Sequence, residues 1–201
     1  MLTIEPKYYG LLKSVNLNEV YRKGWLLRGI PMDKCESVED HTDNTAKGAF
    51  YYTSDSKLVK MMLVHDFPEK ISGDTTPFDG VTDDAKYALE LNAMDKISSK
   101  FDKPIRGEIM GLWLEYSQRK TSRAIIGHQL DKLDATVKAI YYENLGYNVN
   151  ALSPDFYLST RKILSDSKLI TVFDELMKNK SKLIDPHTEY FLLLSNMNIN
   201  Q

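Results

Sequence analysis

The chain has 201 residues, of which 42% are hydrophobic and 27% are charged, and 26 basic against 28 acidic side chains give a net charge of −2. This composition is typical of a globular protein the size of one domain, and it excludes a disordered chain. The near balance of charge leaves no excess of basic residues to bind the phosphate backbone, so we expect no nucleic-acid partner. The single cysteine, Cys35, excludes an internal disulfide and fits a reducing compartment.

No segment of the sequence predicts a membrane span. The longest apolar runs, such as Met61–Val64 and Phe191–Leu194, are four residues long, whereas a spanning helix needs about 20. The N-terminal segment MLTIEPKYYG has a lysine but lacks the apolar core of a secretory signal. We therefore expect a cytoplasmic protein without a membrane partner, or a nuclear one if the source is eukaryotic.

Helical signals recur along the chain and strand signals are almost absent, so the sequence predicts an all-α fold. Ser37, followed three residues later by Asp40, is typical of a capping box and predicts a helix to about Tyr52. Asp55 is the predicted cap of the next helix, whose apolar residues follow i, i+3, i+4, i+7 spacing. That second helix is expected to end at Gly73.

The other predicted helices begin at similar signals. Short helices are expected before Trp25. Four more helices are expected to begin at Thr82–Asp84, at Pro104, at either Thr121 or Ser122, and at Ser153–Asp155. A last helix is expected from about Thr188 to Met197. The helix from Thr121 is expected to be long, passing Asp131 and ending at about Asn144. The polar loop from about Gly73 to Val81 is a natural place for a functional site.

The segment Leu63–Glu69, with the sequence LVHDFPE, is the strongest candidate for a chemical site. On a helix, His65 and Asp66 point about 100° apart, so both can reach one ion over the same edge, and Glu69 follows one turn later. Pro68 cannot donate a backbone hydrogen bond and is expected to loosen the helix here. Imidazole and carboxylate together suit a divalent first-row metal. The alternative is an ordinary surface ion pair or helix cap.

Two further pairings of histidine with acid favour the metal interpretation. His41 follows Asp40 behind the predicted capping box, and Asp131 follows His128 in the predicted long helix. The apolar residues just before His65 indicate burial, and a buried acid without a partner is costly. Spacing alone leaves both interpretations open.

The order of these motifs resembles that of a known family. The segments ESVEDH, LVHDFPEKISGD and HQLDKLD, with RKGWLLR before them and WLEY between, are similar to those of the HD-domain metal-dependent phosphohydrolases, and within them of the 5′-deoxynucleotidase branch. The resemblance runs from about Leu11 to about Lys178. It implies a helical bundle forming one domain over residues 1–201, with its core at about 11–178 and a C-terminal helical extension to 201. It also implies a homodimer.

The resemblance implies roles for individual residues. The matches to the family's metal ligands are His41, His65, Asp66 and Asp131. The matches to the acids near the attacking water and the leaving oxygen are Glu69 and Asp74. The implied substrate contacts are Arg22, Lys23, Trp25, Arg28 and Glu115, with Arg22 as the best match for the phosphate-contacting arginine.

Some of these residues have a second interpretation. Lys23 and Arg28 compete with Arg22 because the local match to the family is loose. Trp25 is also an expected core residue, and Glu115 is also an expected acid of a helix surface.

The function implied by the resemblance is hydrolysis of (deoxy)nucleoside 5′-monophosphates to nucleoside and phosphate, with a small-molecule nucleotide as the partner. One divalent ion is implied, with Mn, Co and Mg as first candidates and Zn, Fe and Ni after them. Such an ion polarises a phosphoryl oxygen and acidifies a bound water. The chain departs from the family at Gly29, Arg123 and His128 and in the stretch between Arg28 and His41, which bears on substrate preference rather than on metal binding.

Two other functions stay open. A deoxynucleoside triphosphate hydrolase on the same ligands would need more cationic residues around its longer phosphate tail. A non-catalytic HD module that binds metal or nucleotide for regulation would be expected to lack Glu69, Asp74 or the arginine, and all are present. A second metal is not expected, because His128 is the one further histidine between Asp66 and Asp131.

Overall fold

The computed structural model describes residues 15–150, 152–153 and 155–196. Pro154 and Met197, which mark two predicted helix boundaries, lie outside the described residues. Within them the all-α prediction is confirmed, since they contain helices and no strand. No described helix combines the length and the apolar character that a membrane span requires.

The described α-helices are α1 (Lys23–Leu27), α2 (Val38–Tyr52), α3 (Ser56–Val64), α4 (Glu69–Ser72), α5 (Asp83–Ser98), α6 (Lys103–Gln118), α7 (Ser122–Asn144), α8 (Phe156–Ile163), α9 (Ser167–Asn179) and α10 (Pro186–Asn196). Short 3-10 turns lie at Met32–Lys34, Pro77–Asp79 and Lys180–Lys182. The second of these turns occupies the predicted loop between α4 and α5.

Four helix starts predicted from capping residues are confirmed. The side chains of Ser37, Asp55, Thr82 and Thr121 each accept a hydrogen bond from a backbone N–H in the first turn of α2, α3, α5 and α7, respectively. At α2 the capping box is complete, because Asp40 Oδ2 also accepts from the Ser37 N–H at 3.1 Å. These caps satisfy N–H groups that have no partner inside the helix.

The second predicted helix is shorter than expected. α3 ends at Val64, and residues 65–68 form a turn before the short helix α4. Pro68 has no N–H to donate to the Val64 carbonyl, which accepts instead from the Phe67 N–H at 3.2 Å. The prediction of one helix up to Gly73 was therefore wrong, and the adjacent histidine and aspartate lie in the turn rather than on a helix face.

Two other helices also differ from the prediction. The helix α9 was not predicted from the sequence. Its start is capped by the Asp166 side chain, which accepts from the Leu169 N–H at 3.0 Å. α1 contains Trp25, and most of the segment in which short helices are predicted before Trp25, residues 1–14, lies outside the described residues. α10 begins at Pro186, two residues before the predicted Thr188.

The long helix α7 is the centre of the packing. It contacts α2, α3, α6, α8, α9 and α10, and several of its buried side chains, among them Leu130, Leu133 and Ile140, belong to the main core cluster. A smaller core cluster surrounds Trp25 and Tyr142, where the segment containing α1 meets α7. Residues on α7 are therefore held between several other helices.

Gly127 lets α3 and α7 approach closely. A Cβ at this position would lie 3.1 Å from Met62 Sδ, which is tighter than an ordinary van der Waals contact. Because α3 leads directly into His65 and α7 carries Asp131, this contact helps to set the distance between two of the predicted metal ligands.

Candidate metal centre

The four predicted metal ligands come from three parts of the fold. His41 lies in the first turn of α2, His65 and Asp66 lie in the turn after α3, and Asp131 lies in α7. We call these four residues the His–Asp cluster. Both histidines are buried, at 0% and 4% exposure, and Asp131 is 8% exposed. Packing of α2 and α3 on α7 brings together residues as far as 90 positions apart.

The ligand atoms of the His–Asp cluster face one another. His41 Nε2 lies 3.1 Å from Asp131 Oδ1 and 3.7 Å from Asp66 Oδ2. His65 Nε2 lies 3.1 Å from the same Asp66 oxygen. One ligand atom from each of His41, His65 and Asp66 lies within 4.8 Å of the others. This spread is compatible with a single ion, whose bonds to such ligands are about 2.0–2.3 Å long.

His65 is oriented by the end of the helix that precedes it, α3. Its Nδ1 lies 2.7 Å from the backbone oxygen of Met62. A carbonyl oxygen can only accept, so Nδ1 carries the hydrogen and Nε2 keeps a lone pair. That lone pair is directed toward the Asp66 oxygen described above, as expected for a metal ligand.

His41 is oriented by a carboxylate from α7. Its Nδ1 lies 2.7 Å from Asp134 Oδ2, and its Nε2 faces Asp131. Burial and the charge of Arg22 oppose protonation, but the hydrogen bonds with Asp131 and Asp134 outweigh them and raise the pKa of His41 to about 10. Histidines that bind metals usually donate their other ring N–H to such a partner, which fixes the tautomer.

The carboxylates of the His–Asp cluster are held in their charged form. Burial opposes the charge, but the proximity of His65, His41 and Arg22 keeps the pKa of Asp66 below its ordinary value. Burial opposes the charge of Asp131 as well, but Lys132 is the foremost cause that holds the Asp131 pKa well below its usual range. Both carboxylates are thus available as anionic ligands.

Unpartnered buried atoms show that the site fits a cation. His65 Nε2 and Asp66 Oδ2 are buried and have no hydrogen-bond partner among the described residues. Leaving such atoms unsatisfied is costly, and most buried polar atoms do have partners. A divalent cation would satisfy both atoms, and imidazole with carboxylate is a donor set that first-row ions accept.

A half-buried arginine lies beside the cluster. Arg22 Nη1 is 3.6 Å from Asp74 Oδ1 and 3.9 Å from Asp66 Oδ2. Burial disfavours the charged guanidinium, but Asp74, Asp66 and then Glu69 hold the pKa of Arg22 above its ordinary value. Asp74 is fixed in turn, because its Oδ2 accepts from the Lys23 backbone N–H at 2.6 Å.

Glu69 differs from Asp74 in having a free carboxylate oxygen. Glu69 is 5% exposed, and its Oε2 is buried without a hydrogen-bond partner in the described part of the chain. Burial is the largest cause that raises the pKa of Glu69 well above its usual value, and the charges of Asp66 and Asp74 add to it. The two acids that the sequence could not tell apart therefore have different surroundings.

Comparison with known proteins identifies the family. Residues 15–170 match the profile of the family described as HD domain. The chain belongs to the HD domain family. This confirms the resemblance expected from the order of the motifs.

Relatives of this HD domain cover most of the chain. It is 31% identical to the 5′-deoxynucleotidase HDDC2 of Homo sapiens over 86% of this chain and 87% of that protein. It is 33% identical to the 5′-deoxynucleotidase HDDC2 of Dictyostelium discoideum over 68% and 75% of the two chains. A crystal structure of a predicted metal-dependent phosphohydrolase from Magnetospirillum magnetotacticum shares the fold, with a TM-score of 0.67, 19% identity and coverage of 87% and 89%.

Two residues that are predicted to contact the substrate, Trp25 and Arg28, make hydrogen bonds within the protein. Trp25 is 4% exposed, and its Nε1 donates to Glu36 Oε2 at 2.8 Å. Arg28 donates from Nε to the Val149 backbone oxygen at 2.7 Å and lies over the Trp25 ring. Both side chains therefore stabilise the smaller core cluster around α1.

Glu115 is occupied by an ion-pair network. Its carboxylate lies 2.8 Å from Lys57 Nζ and 2.8 Å from Arg123 Nη1, and it accepts from Thr121 Oγ1 at 2.8 Å. Arg123, one of the departures from the family pattern, is thus paired with Glu115. These contacts are separate from those of the His–Asp cluster.

His128 packs beside the His–Asp cluster. Its ring stacks on Tyr116 with the centroids 3.9 Å apart, and its Nε2 lies 3.0 Å from both Arg119 Nε and the Tyr116 backbone oxygen. Burial, with the charge of Arg119, lowers the pKa of His128 to about 4. The described contacts of His128 do not include a residue of the His–Asp cluster.

Four residues around the His–Asp cluster were not predicted from the sequence. Asp134 follows Asp131 by three positions on α7, which is a spacing that places both on one helix face and could have identified it. Tyr116 Oη and Lys132 Nζ each lie 3.3 Å from Asp131 Oδ2. His187 contacts Asp134 from 53 positions away on α10, and no local pattern in the sequence points to it.

Proposed function

We propose that this HD domain is a metal-dependent phosphomonoesterase that hydrolyses deoxynucleoside 5′-monophosphates to deoxynucleoside and phosphate. The observation that carries the proposal is the half-buried Arg22 guanidinium, which lies 3.9 Å from Asp66 beside ligand atoms that have no hydrogen-bond partner among the described residues. A cationic fork next to a metal site suits a phosphate ester. The names of the relatives from Homo sapiens and Dictyostelium discoideum support the same reaction, including its preference for deoxyribose.

In this proposal the His–Asp cluster would hold one divalent ion, for which Mn, Co and Mg are the first candidates. When bound, the ion supplies a Lewis acid that polarises a phosphoryl oxygen and makes a water more acidic. His41 and His65 would bind it through Nε2, since both Nδ1 atoms have an acceptor. Asp66 and Asp131 would add the carboxylate oxygens.

Arg22 binds the phosphate in this proposal. The carboxylates of Asp66 and Asp131 offset the charge of a divalent ion, so a phosphate dianion needs another positive group. A guanidinium can donate to two oxygens of one phosphate at once. Asp74 holds the guanidinium beside the cluster, and the Lys23 backbone N–H holds Asp74.

Within the segment 22–28, the surroundings of the basic side chains favour a monophosphate over a triphosphate. Lys23 Nζ pairs with Asp79, and Arg28 donates to the Val149 backbone oxygen. Of the basic residues in the segment 22–28, Arg22 is thus the one paired with acids of the site. One such cation suits one phosphoryl group.

Glu69 moves the proton in this proposal. Its free Oε2 is buried near the site, whereas both oxygens of Asp74 have partners. A carboxyl group in this position can give its proton to the departing 5′-oxygen, a role usually worth about 10²–10⁴-fold in rate. Asp74 instead orients Arg22.

Release of phosphate tests the proposal directly. The chelator-treated protein is incubated with dAMP, AMP or dATP and with Mn²⁺, Co²⁺ or Mg²⁺ in turn. We expect dAMP to be cleaved fastest and dATP to be left intact. The variant Asp66→Asn, which lacks one ligand, is the control for contaminating phosphatase.

The other functions give different results in the same assay. Cleavage confined to dATP would replace the proposal with a triphosphate hydrolase. Metal binding without cleavage of any of the three nucleotides would favour a regulatory module. Equal rates for dAMP and AMP would contradict the preference for deoxyribose.

A further inference from the structure

Asp134 connects a predicted metal ligand to the C-terminal helix. Its Oδ2 lies 2.7 Å from His41 Nδ1, and its Oδ1 lies 3.1 Å from His187 Nε2. The Asp134 side chain is fully buried, at 0% exposure. The three side chains thus form a continuous series of hydrogen bonds from α10 through α7 to α2.

His187 is held in place because α10 is anchored in the core. Tyr190 and Leu194, one and two turns after it, are fully buried. Gly48 of α2 leaves room for the Tyr190 ring, since a Cβ there would lie 3.0 Å from the Tyr190 hydroxyl oxygen. α10 therefore packs directly on the helix that carries His41.

The contact of His187 is also outside the family match. The HD domain profile matches residues 15–170, and α10 comprises Pro186–Asn196. The family's own motifs therefore do not account for a histidine at this place. Its function has to be inferred from what the side chain touches.

We propose that His187 is a positioning residue of the metal centre, acting through Asp134 on His41. A buried carboxylate with a donor on each oxygen cannot rotate, so its Oδ2 keeps the hydrogen of His41 on Nδ1. His41 Nε2 then stays directed at the His–Asp cluster. This inference rests on the proposed function only in placing a divalent ion at that cluster.

Loss of the His187 donor is expected to weaken metal binding. Outer partners of metal-binding histidines typically contribute about 10–100-fold to metal affinity. His187→Leu removes the donor and leaves Asp134 Oδ1 unpaired in a buried place. His187→Gln keeps an N–H donor at a similar reach, whereas His187→Asn has the same amide one methylene shorter.

The experiment measures Mn²⁺ affinity of the chelator-treated full chain by isothermal titration calorimetry. We expect the dissociation constant to rise about 10–100-fold in His187→Leu and in His187→Asn, and to return most of the way to the wild-type value in His187→Gln. Glu189→Leu is the matched control, because Glu189 is an exposed residue of the same helix. Thermal unfolding without metal identifies any variant that fails to fold, and the Gln and Asn variants then carry the comparison.

The outcomes separate the two proposals. Wild-type affinity in folded His187→Leu and His187→Asn would overturn the positioning role, and so would a His187→Gln affinity as weak as theirs. A wild-type protein that binds no Mn²⁺ would overturn it too. Mn²⁺ binding with the expected order of variants, but without cleavage of dAMP, would support the positioning role and contradict only the proposed function.

Discussion

The two histidines of the His–Asp cluster are oriented by acceptors of different origin. For His65 the acceptor is the backbone oxygen of Met62, three residues earlier in the chain, in the last turn of α3. For His41 it is the carboxylate of Asp134, 93 positions away. Both keep a hydrogen on Nδ1, so Nε2 is the nitrogen through which each ring would bind an ion. The residue type alone predicts a ligand, but its acceptor decides which nitrogen binds.

At the scale of the residue, Glu69→Gln tests the proton-transfer role. Glutamine keeps the size of the side chain but cannot give up a proton as a carboxyl group does. We expect kcat for dAMP to fall by about 10²–10⁴-fold. Mn²⁺ affinity should stay near the wild-type value, because Glu69 is not among the proposed ligands. Steady-state kinetics and calorimetry measure the two quantities.

Glu108→Gln serves as the control for this substitution. Glu108 is an exposed acid that pairs with Lys60 at 2.7 Å and is not part of the His–Asp cluster. Near-native kcat in Glu69→Gln would remove this residue from the mechanism.

At the scale of the element, the start of α2 is fixed by its capping box. Ser37 Oγ accepts from the Asp40 N–H at 3.1 Å, and His41 follows in the next position. Because the cap determines where the helix begins, it also determines the direction in which His41 leaves the backbone. The turn at Pro68 does the same for His65 and Asp66, since α3 ends just before His65.

Ser37→Ala is expected to lower the free energy of unfolding by about 1 kcal/mol. The substitution leaves the Asp40 N–H without its side-chain acceptor, and loss of such a cap typically costs about 0.5–2 kcal/mol. Urea denaturation followed by circular dichroism measures the change. Ser37→Asn, which keeps an acceptor oxygen, should retain most of the stability, and equal stability of wild type and Ser37→Ala would show that the cap does not stabilise α2.

At the scale of the whole molecule, the His–Asp cluster joins α2, the turn after α3, and α7. A cation that binds this cluster binds only the folded chain, because the ligands are far apart in sequence. At a Mn²⁺ concentration 100 times the dissociation constant, the added stability is about 2.7 kcal/mol. For a protein of this size that corresponds to a rise of about 5–10 °C in the unfolding temperature.

Thermal unfolding with and without Mn²⁺ measures this rise. Addition of a chelator should reverse it, and Asp66→Asn should show a smaller rise because one ligand is lost. An equal rise in wild type and Asp66→Asn would place the stabilising ion elsewhere on the protein.

The sequence by itself determined the helical fold, most helix starts and the four residues of the His–Asp cluster. Caps such as Ser37 and Thr121 are local, since each acts on N–H groups within three residues, and local chemistry can be predicted without coordinates. The motifs around His65 and Asp131 carried the family resemblance, which the HD domain match confirms. The assignment of these residues as metal ligands stays a prediction.

Only the tertiary structure decided which other side chains surround the cluster. His187 reaches Asp134 because Tyr190 and Leu194 bury α10 against the core, and such packing depends on shapes that no local pattern specifies. The same holds for Glu115, which pairs with Lys57 from a different helix. Long-range contacts of this kind arise from how the helix surfaces fit together, so a sequence predicts the ligands of a site more readily than the residues that hold them in place.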